Sequence, residues 1–327
     1  MPGGQPSTTA PMDGPWLSPQ VVTRNRWPKV LWDMVPGPNG TVNPQLGGAP
    51  ANFAVACARL GGRAVVASSV GRDPLGERTL AMLAGSGVEA DFIQRSGLAT
   101  SEVLVELDAG GHARYKIVQP VAWDALEWTP AWACLAQETE AVCFGTLAQR
   151  SSQSRGTIRR LVVETRPEAA RVFDVNLRSP YWDDDGLAWG MQHATVLKLN
   201  EEELPLVLHA LGQPAPRDEA AGARTLLGLG PRLKLVCVTL GGRGCLLTAQ
   251  DELVQAPGLK TQVVDTIGAG DAFTAAMVTY WLKDRPLDGI AAAANRLGSY
   301  VASRIGAQTE FPAELLAELE ELSRGEQ

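Results

Sequence analysis

Apolar residues along the chain fall into short, nearly continuous runs separated by stretches of helical spacing. Runs at 64–70, 141–144, 171–175, 195–199 and 235–240 read as strands covered on both faces, as in a parallel sheet. Residues 50–60, 74–84, 152–165, 201–211 and 218–228 read as helices. The first of these has Pro50 near its first turn and Gly61 and Gly62 just past its end, a common asymmetry of helix termini. Strand-then-helix repetition predicts an α/β fold: a doubly wound, mainly parallel sheet with helices on both faces, binding ligands at the carboxyl ends of its strands. One stretch departs from that rhythm. Residues 101–108 alternate around Val103, Val105 and Leu107, Ala109-Gly110-Gly111 can turn the chain, and 112–118 can return it. This predicts a β-hairpin serving as a solvent-facing excursion, a lid or a dimer surface. Residues 1–20, rich in Pro, Gly, Ser and Thr without periodicity, are expected to form a disordered tail, leaving 21–327 as the folded unit.

The most informative segment is Val263-Val264-Asp265-Thr266-Ile267-Gly268-Ala269-Gly270-Asp271-Ala272-Phe273. A short apolar run stops at two glycines, an aspartate follows, and Phe273, Ala276, Met277, Tyr280 and Trp281 then recur on one helical face. Glycines allow a tight turn, and backbone amides at a helix start attract anions. An acid beside an anion site weakens simple phosphate binding. It makes sense if Asp271 takes a proton from a hydroxyl that attacks phosphorus. The plainer reading is a strand-to-helix turn with Asp271 as an N-cap.

Composition narrows the partners. A net charge of −7 argues against a nucleic-acid surface, which is normally basic. No apolar run reaches membrane-spanning length, and the N-terminus lacks a signal-peptide layout. The five cysteines show no C-x-x-C spacing and several lie in apolar runs, so buried thiols in a reducing cytoplasm are expected. His112, His193 and His209 lack metal-ligand spacing. A P-loop and a His-Arg-Asp catalytic loop are both absent.

Four further constellations lie near predicted strand ends or helix starts. In Gly47-Gly48-Ala49-Pro50-Ala51-Asn52 the backbone can approach a ligand and Asn52 can bond a sugar hydroxyl; taken alone, a loop with an incidental Asn is the simpler reading. Thr239-Leu240-Gly241-Gly242-Arg243-Gly244 can approach a nucleotide phosphate or form an ordinary β-turn. In Asn200-Glu201-Glu202-Glu203, a carboxylate could hold Mg2+ through water or the acids could complement a helix dipole. Asp174-Val175-Asn176-Leu177-Arg178 offers a guanidinium for substrate oxygens or for a surface salt bridge.

In this order and at these distances, the segments resemble the ribokinase-like (PfkB) family of carbohydrate kinases over roughly residues 30–312. Gly47–Asn52 is similar to its N-terminal signature and Asp265–Asp271 to its C-terminal one. Leu31-Trp32-Asp33-Met34-Val35-Pro36, 144–150 and 174–178 look closest to bacterial fructokinases. The resemblance implies a ribokinase-like domain whose β lid comprises about 101–118 and part of 30–46, often also the dimer contact. It implies Asp271 as general base, with Gly268, Ala269 and Gly270 forming the anion hole. Asp33, Gly47, Gly48, Asn52 and Arg178 match sugar-binding positions. Asn200, Thr239, Gly241, Gly244 and Asn295 match nucleotide positions. Glu203 matches an Mg2+ position acting through water, and Asp265 and Ile267 a loop that binds K+ in many members. ATP and Mg2+ are thus expected, K+ is a candidate, and the partners are a small sugar and a second copy through the lid, with no nucleic acid or membrane.

The implied reaction is ATP-dependent phosphorylation of a small sugar, fructose first among them. A 2-keto-3-deoxygluconate kinase or nucleoside kinase on the same scaffold, and a non-catalytic sugar or nucleotide sensor, are the alternatives. One departure stands out. Family members open with an apolar first strand, whereas Thr23-Arg24-Asn25-Arg26-Trp27-Pro28-Lys29 is polar, basic and interrupted by proline. The expectation is a first strand that is short, displaced or missing.

Overall fold

The structure, a computed structural model, describes residues 24–26, 31–36, 42–107 and 113–325. The expected disordered tail and the 109–111 turn lie outside the described residues. In chain order the strands are β1 (Arg24–Arg26), β2 (Leu31–Pro36), β3 (Val42–Gly47), β4 (Ala64–Val66), β5 (Ser68–Gly71), β6 (Val88–Glu89), β7 (Ile93–Ser96), β8 (Ser101–Leu107), β9 (Ala113–Ile117), β10 (Ala141–Phe144), β11 (Ala170–Asp174), β12 (Val196–Asn200), β13 (Leu235–Thr239), β14 (Gly244–Ala249) and β15 (Glu252–Pro257). The helices are α1 (Ala49–Arg59), α2 (Pro74–Gly85), α3 (Pro130–Glu138), α4 (Ser152–Glu164), α5 (Asp184–His193), α6 (Glu203–Ala210), α7 (Glu219–Leu229), α8 (Ala269–Trp281), α9 (Leu287–Ala302) and α10 (Ala313–Leu322).

Nine strands form one sheet in the order β15-β14-β13-β12-β11-β10-β1-β4-β6. It is parallel from β13 through β6 and antiparallel at β14 and β15. The central strands bury every second side chain on opposite faces. Cys143, Val172, Val196 and Leu235 join a core with α1, α8, α9 and α10. Phe144, Phe173, Leu197 and Val236 join a second core with α3 to α7. This two-sided burial explains the nearly continuous apolar runs. The doubly wound architecture expected from them is present.

The first strand is short rather than displaced or missing. Its three residues pair in parallel with Ala141–Cys143 on one side and Ala64–Val66 on the other, in the middle of the sheet. The run at 64–70 is two strands, not one: β4 belongs to the large sheet, and β5 pairs with β7 in a separate ribbon.

A second sheet of four strands, in the order β3-β2-β8-β9, contains the hairpin expected at 101–118. The β2–β3 pair extends that hairpin, with β2 parallel to β8. Its root is moored to the loop that follows β10. Arg150 donates to both carboxylate oxygens of buried Asp124 (2.8 and 2.7 Å) and to the carbonyl of Val118 at 2.9 Å. The same guanidinium lies over Trp123 and Tyr181.

Candidate active site

Two cavities open where the parallel strands end, and they share a wall. One, about 640 Å³, is lined by Asn52, Asn176, Arg178, Lys198 and Asp271, among others. The other, about 740 Å³, is lined by Asn200, Thr239, Gly241, Gly244 and Asn295, among others. Thr266 and Gly270 face both cavities.

The shared wall is the start of α8. Gly268 precedes it in a left-handed conformation, φ 79° and ψ −9°, and no side chain caps the helix. A Cβ at Gly268 would lie 2.4 Å from Cβ of Ala307, so the turn excludes larger residues on two grounds. Amides in a first helical turn lack intrahelical acceptors and sit at the positive end of the dipole. Ala269 N donates back to the carbonyl of Thr266 at 3.3 Å, and the turn around Gly270 presents a place suited to an anion, with Asp271 beside it.

Helix α1 also begins behind a glycine at positive φ, Gly48 at φ 94° and ψ 124°, with no side-chain cap. It packs alongside α8. Asn52, buried in its first turn, donates from Nδ2 to Oδ2 of Asp271 over 3.0 Å. Gln308 Nε2 reaches Oδ1 of Asn52 at 3.5 Å, which fixes the orientation of the Asn52 amide. An amide on one helix start thus positions the acid on the other. Gly47 ends β3 just before this turn, paired with Leu31. Asp33 lies in β2, opposite Gln45 and Val103, and is placed by its backbone.

Arg178 is exposed at the mouth of the first cavity, with Nη1 donating to the carbonyl of Leu177 at 2.9 Å. At the second cavity, Asn200 Oδ1 accepts from the amides of Glu202 and Glu203 (2.9 and 2.8 Å). Glu203 is buried, and its two carboxylate oxygens accept from Leu177 N at 2.7 Å and Asn200 N at 2.9 Å. It ties two strand-end loops together, an arrangement that fits an ion reached through water better than one gripped directly. Among the described residues no group of three or more His, Cys, Asp or Glu is disposed to hold a metal.

Thr239 ends β13, and Gly241 (φ 54°) and Gly244 (φ 102°) shape the loop beyond it. A Cβ at Gly244 would meet the carbonyl oxygen of Ala256 at 2.1 Å. Asn295, buried on α9, donates to the carbonyls of Ala256 and Pro257, both at 3.3 Å. Asp265 accepts from Ile267 N through Oδ1 (2.9 Å) and from Gly306 N through Oδ2 (3.0 Å), closing the loop before α8.

The thiols stand outside this chemistry. All five cysteines are unbridged, and Cys134 alone is exposed. Burial pushes the Cys245 thiol up to about 12, against hydrogen bonds from Ala256 and Asn295, and pushes Cys237 well up too. His193 stacks on Trp189 at 4.3 Å, a packing role.

The pattern of pfkB family carbohydrate kinases matches residues 24–314. The chain belongs to that family. As a carbohydrate kinase, it transfers a phosphoryl group to a sugar hydroxyl. The chain is 30% identical to a fructokinase from Escherichia coli over 296 residues, 86% of this chain and 93% of that protein. Among solved structures it is similar to a sugar kinase from Pyrococcus horikoshii in complex with ATP (TM-score 0.78, 27% identity, covering 92% of this chain and 100% of that one). It is also similar to a double mutant of fructokinase from Vibrio cholerae O395 with fructose, ADP and potassium ion (TM-score 0.75, 25% identity, 91% and 98%). Among the described residues, no helix is long and apolar enough to cross a membrane.

Two residues at the first cavity escaped the sequence reading. Lys198 sits inside the run 195–199, read as a nearly continuous apolar strand, and its side chain is buried against the cavity. Asn176 adopts φ 42°, uncommon for a non-glycine residue, at the lining of the same cavity. A lysine in a strand buried on both faces was the available signal for the first.

Proposed function

We propose that the chain transfers the γ-phosphoryl group of ATP to a hydroxyl of fructose. The observation that carries this reading is the shared wall: two cavities, each with room for a ligand, meet at Gly270, one residue from Asp271. Asp271 accepts the proton of the attacking hydroxyl, with Asn52 holding its other oxygen in place. The amides of Gly268, Ala269 and Gly270 receive the charge of the transferring group, the kind of fixed-dipole stabilisation phosphoryl transfer requires. Asp33, Gly47, Gly48, Asn52 and Arg178 bind the sugar. Asn200, Thr239, Gly241, Gly244 and Asn295 bind the nucleotide. Glu203 faces Mg2+ through water, and Mg2+ when bound neutralises phosphate charge. The loop of Asp265 and Ile267 takes K+.

Fructose is favoured by the identity to the E. coli fructokinase. A coupled ADP-release assay over fructose, other hexoses, 2-keto-3-deoxygluconate and nucleosides tests it. Turnover highest with fructose is expected; a tenfold preference for another class would replace it, and sugar binding without any turnover would make the protein a sensor. We also place the protein in the cytoplasm, supported by its unbridged cysteines, and infer a homodimer through the four-stranded lid. Sedimentation giving a monomer at micromolar concentration would remove the dimer.

A further inference from the structure

We propose that Gln308 is a positioning residue for phosphoryl transfer: its amide, anchored on lid strand β3, locks Asn52 in the orientation that holds the base Asp271. This deepens the kinase reading above and rests on it.

Two acceptors fix the whole chain of bonds. The carbonyl of Leu46, in β3, can only accept, so the end of Gln308 that meets it at 3.3 Å is Nε2. An ionised Asp271 can only accept as well, so Asn52 turns Nδ2 toward it at 3.0 Å. That leaves Asn52 Oδ1 facing Gln308 Nε2, at 3.5 Å. The two hydrogens of one amide nitrogen thus serve two carbonyl oxygens, one on the main chain and one on Asn52. A flipped Asn52 would set its oxygen against the carboxylate and its nitrogen against the Gln308 nitrogen. Gln308 cannot turn over in compensation, because its oxygen would then face the carbonyl of Leu46.

The segment that carries Gln308 is braced on both sides. Before it, Gly306 N donates to Asp265 Oδ2 at 3.0 Å. After it, Arg59 Nη1 donates to the carbonyl of Thr309 at 2.7 Å. Arg59 stands about two turns beyond Asn52 on α1, so one face of that helix meets the segment twice. Ala307 packs where a Cβ on Gly268 would lie, 2.4 Å away. Residues 306–309 therefore touch the turn before α8, helix α1 and the lid together. Gln308 is half-buried and lines neither of the two cavities, so its part in the reaction is indirect. It sets the aim of a group that touches the base, where small misplacements are costly in rate.

Replacement Gln308→Met keeps the side-chain length and removes both donors. It should lower kcat about three- to tenfold, with KM for ATP and the melting temperature little changed. Gln308→Glu keeps the shape but sets an acceptor against two carbonyls. At pH 8 it should be slower than Gln308→Met, since relief comes from turning Asn52 over. A packing role predicts the reverse order, because glutamate is the closer fit. The double variant Gln308→Met/Asn52→Ala closes a cycle. It should be no slower than Asn52→Ala alone, because without Asn52 the Gln308 amide has nothing to hold. Three results overturn the proposal: Gln308→Met at wild-type turnover, Gln308→Glu no slower than Gln308→Met, or effects that multiply in the double variant. If Gln308→Met does not fold, Gln308→Glu with and without Asn52→Ala carries the test by the same rule. Asp271→Asn run alongside separates the two readings. Full activity in that variant means the base is misassigned. Slow Asp271→Asn and Asn52→Ala beside a fully active Gln308→Met means Gln308 alone is, and full activity in Asn52→Ala removes the relay but leaves the base.

Discussion

Two sets of helix starts in this protein contrast. Helices α2, α3, α5 and α7 begin behind a side chain that caps the first turn: Asp73 accepts from Gly76, Thr129 from Trp132, Asp183 from Gly186 and Asp218 from Ala221. Helices α1 and α8 begin behind glycines at positive φ with no side-chain cap, and both open onto the cavities. The first kind satisfies a first-turn donor with its own cap. The second turns its positive end toward the cavities. Sequence chemistry marks the difference: Asp or Thr where the helix only has to start, Gly where the backbone itself is the binding group.

The two kinds should therefore fail differently. Asp271→Asn should reduce kcat at least about 10²-fold while leaving the melting temperature within a degree or two, since the amide keeps the contact with Asn52 in shape. Steady-state kinetics with a thermal melt checks both halves, and near-normal turnover would end the base assignment. Gly268→Ala should cost both properties. It combines a strained positive φ with a clash against Ala307, and a shifted anion turn should lower kcat/KM by about 10–100-fold. An unchanged melt and unchanged kinetics would mean that the turn is not needed in this conformation. Asn52→Ala removes a hydrogen bond to a carboxylate, worth about 1.5 kcal/mol, and should slow turnover about tenfold.

At the capped ends the pattern inverts. Asp73→Ala should destabilise the fold by about 0.5–2 kcal/mol with kcat unaltered, as read by urea unfolding. The effect should depend on pH. Burial raises the Asp73 pKa, but hydrogen bonds from Thr100 and Gly76, with the charge of Arg95, outweigh it and hold the carboxyl below its ordinary 3.8. A depressed folded value gives stability that is complete above the unfolded value and fades as pH falls through the folded one. The gap between wild type and Asp73→Ala should thus be widest above pH 4 and narrow at lower pH. A gap constant from pH 6 to 2 would show that the carboxylate charge is not what matters there.

Much of this division is legible in the chain. Gly268-Ala269-Gly270-Asp271 announces itself because few structural demands need two glycines and an acid at a strand-to-helix turn. The central strands are legible because two-sided burial leaves apolar runs such as Ala141–Phe144. The antiparallel strands β14 and β15 were not expected. The exposed-and-intermediate pattern of Glu252–Pro257 leaves too little apolar contrast to mark it as a strand. The break between β4 and β5 is hidden because Ala67 and its neighbours stay buried while the chain changes sheet. Lys198 was missed for a different reason: a run of apolar neighbours masks one charge whose purpose depends on what packs above it. The capture of Asp271 by Asn52 joins residues from opposite ends of the chain, and no local pattern encodes such a contact.

The three-residue strand at the middle of the large sheet also constrains the order of assembly. Arg24–Arg26 comes early in the chain, yet its flanks are strands ending at Val66 and beginning at Ala141. On a ribosome it must wait, half-paired at best, until the later strand has emerged. Closing so long a loop for so few rungs makes this seam a late, distant contact rather than a nucleus.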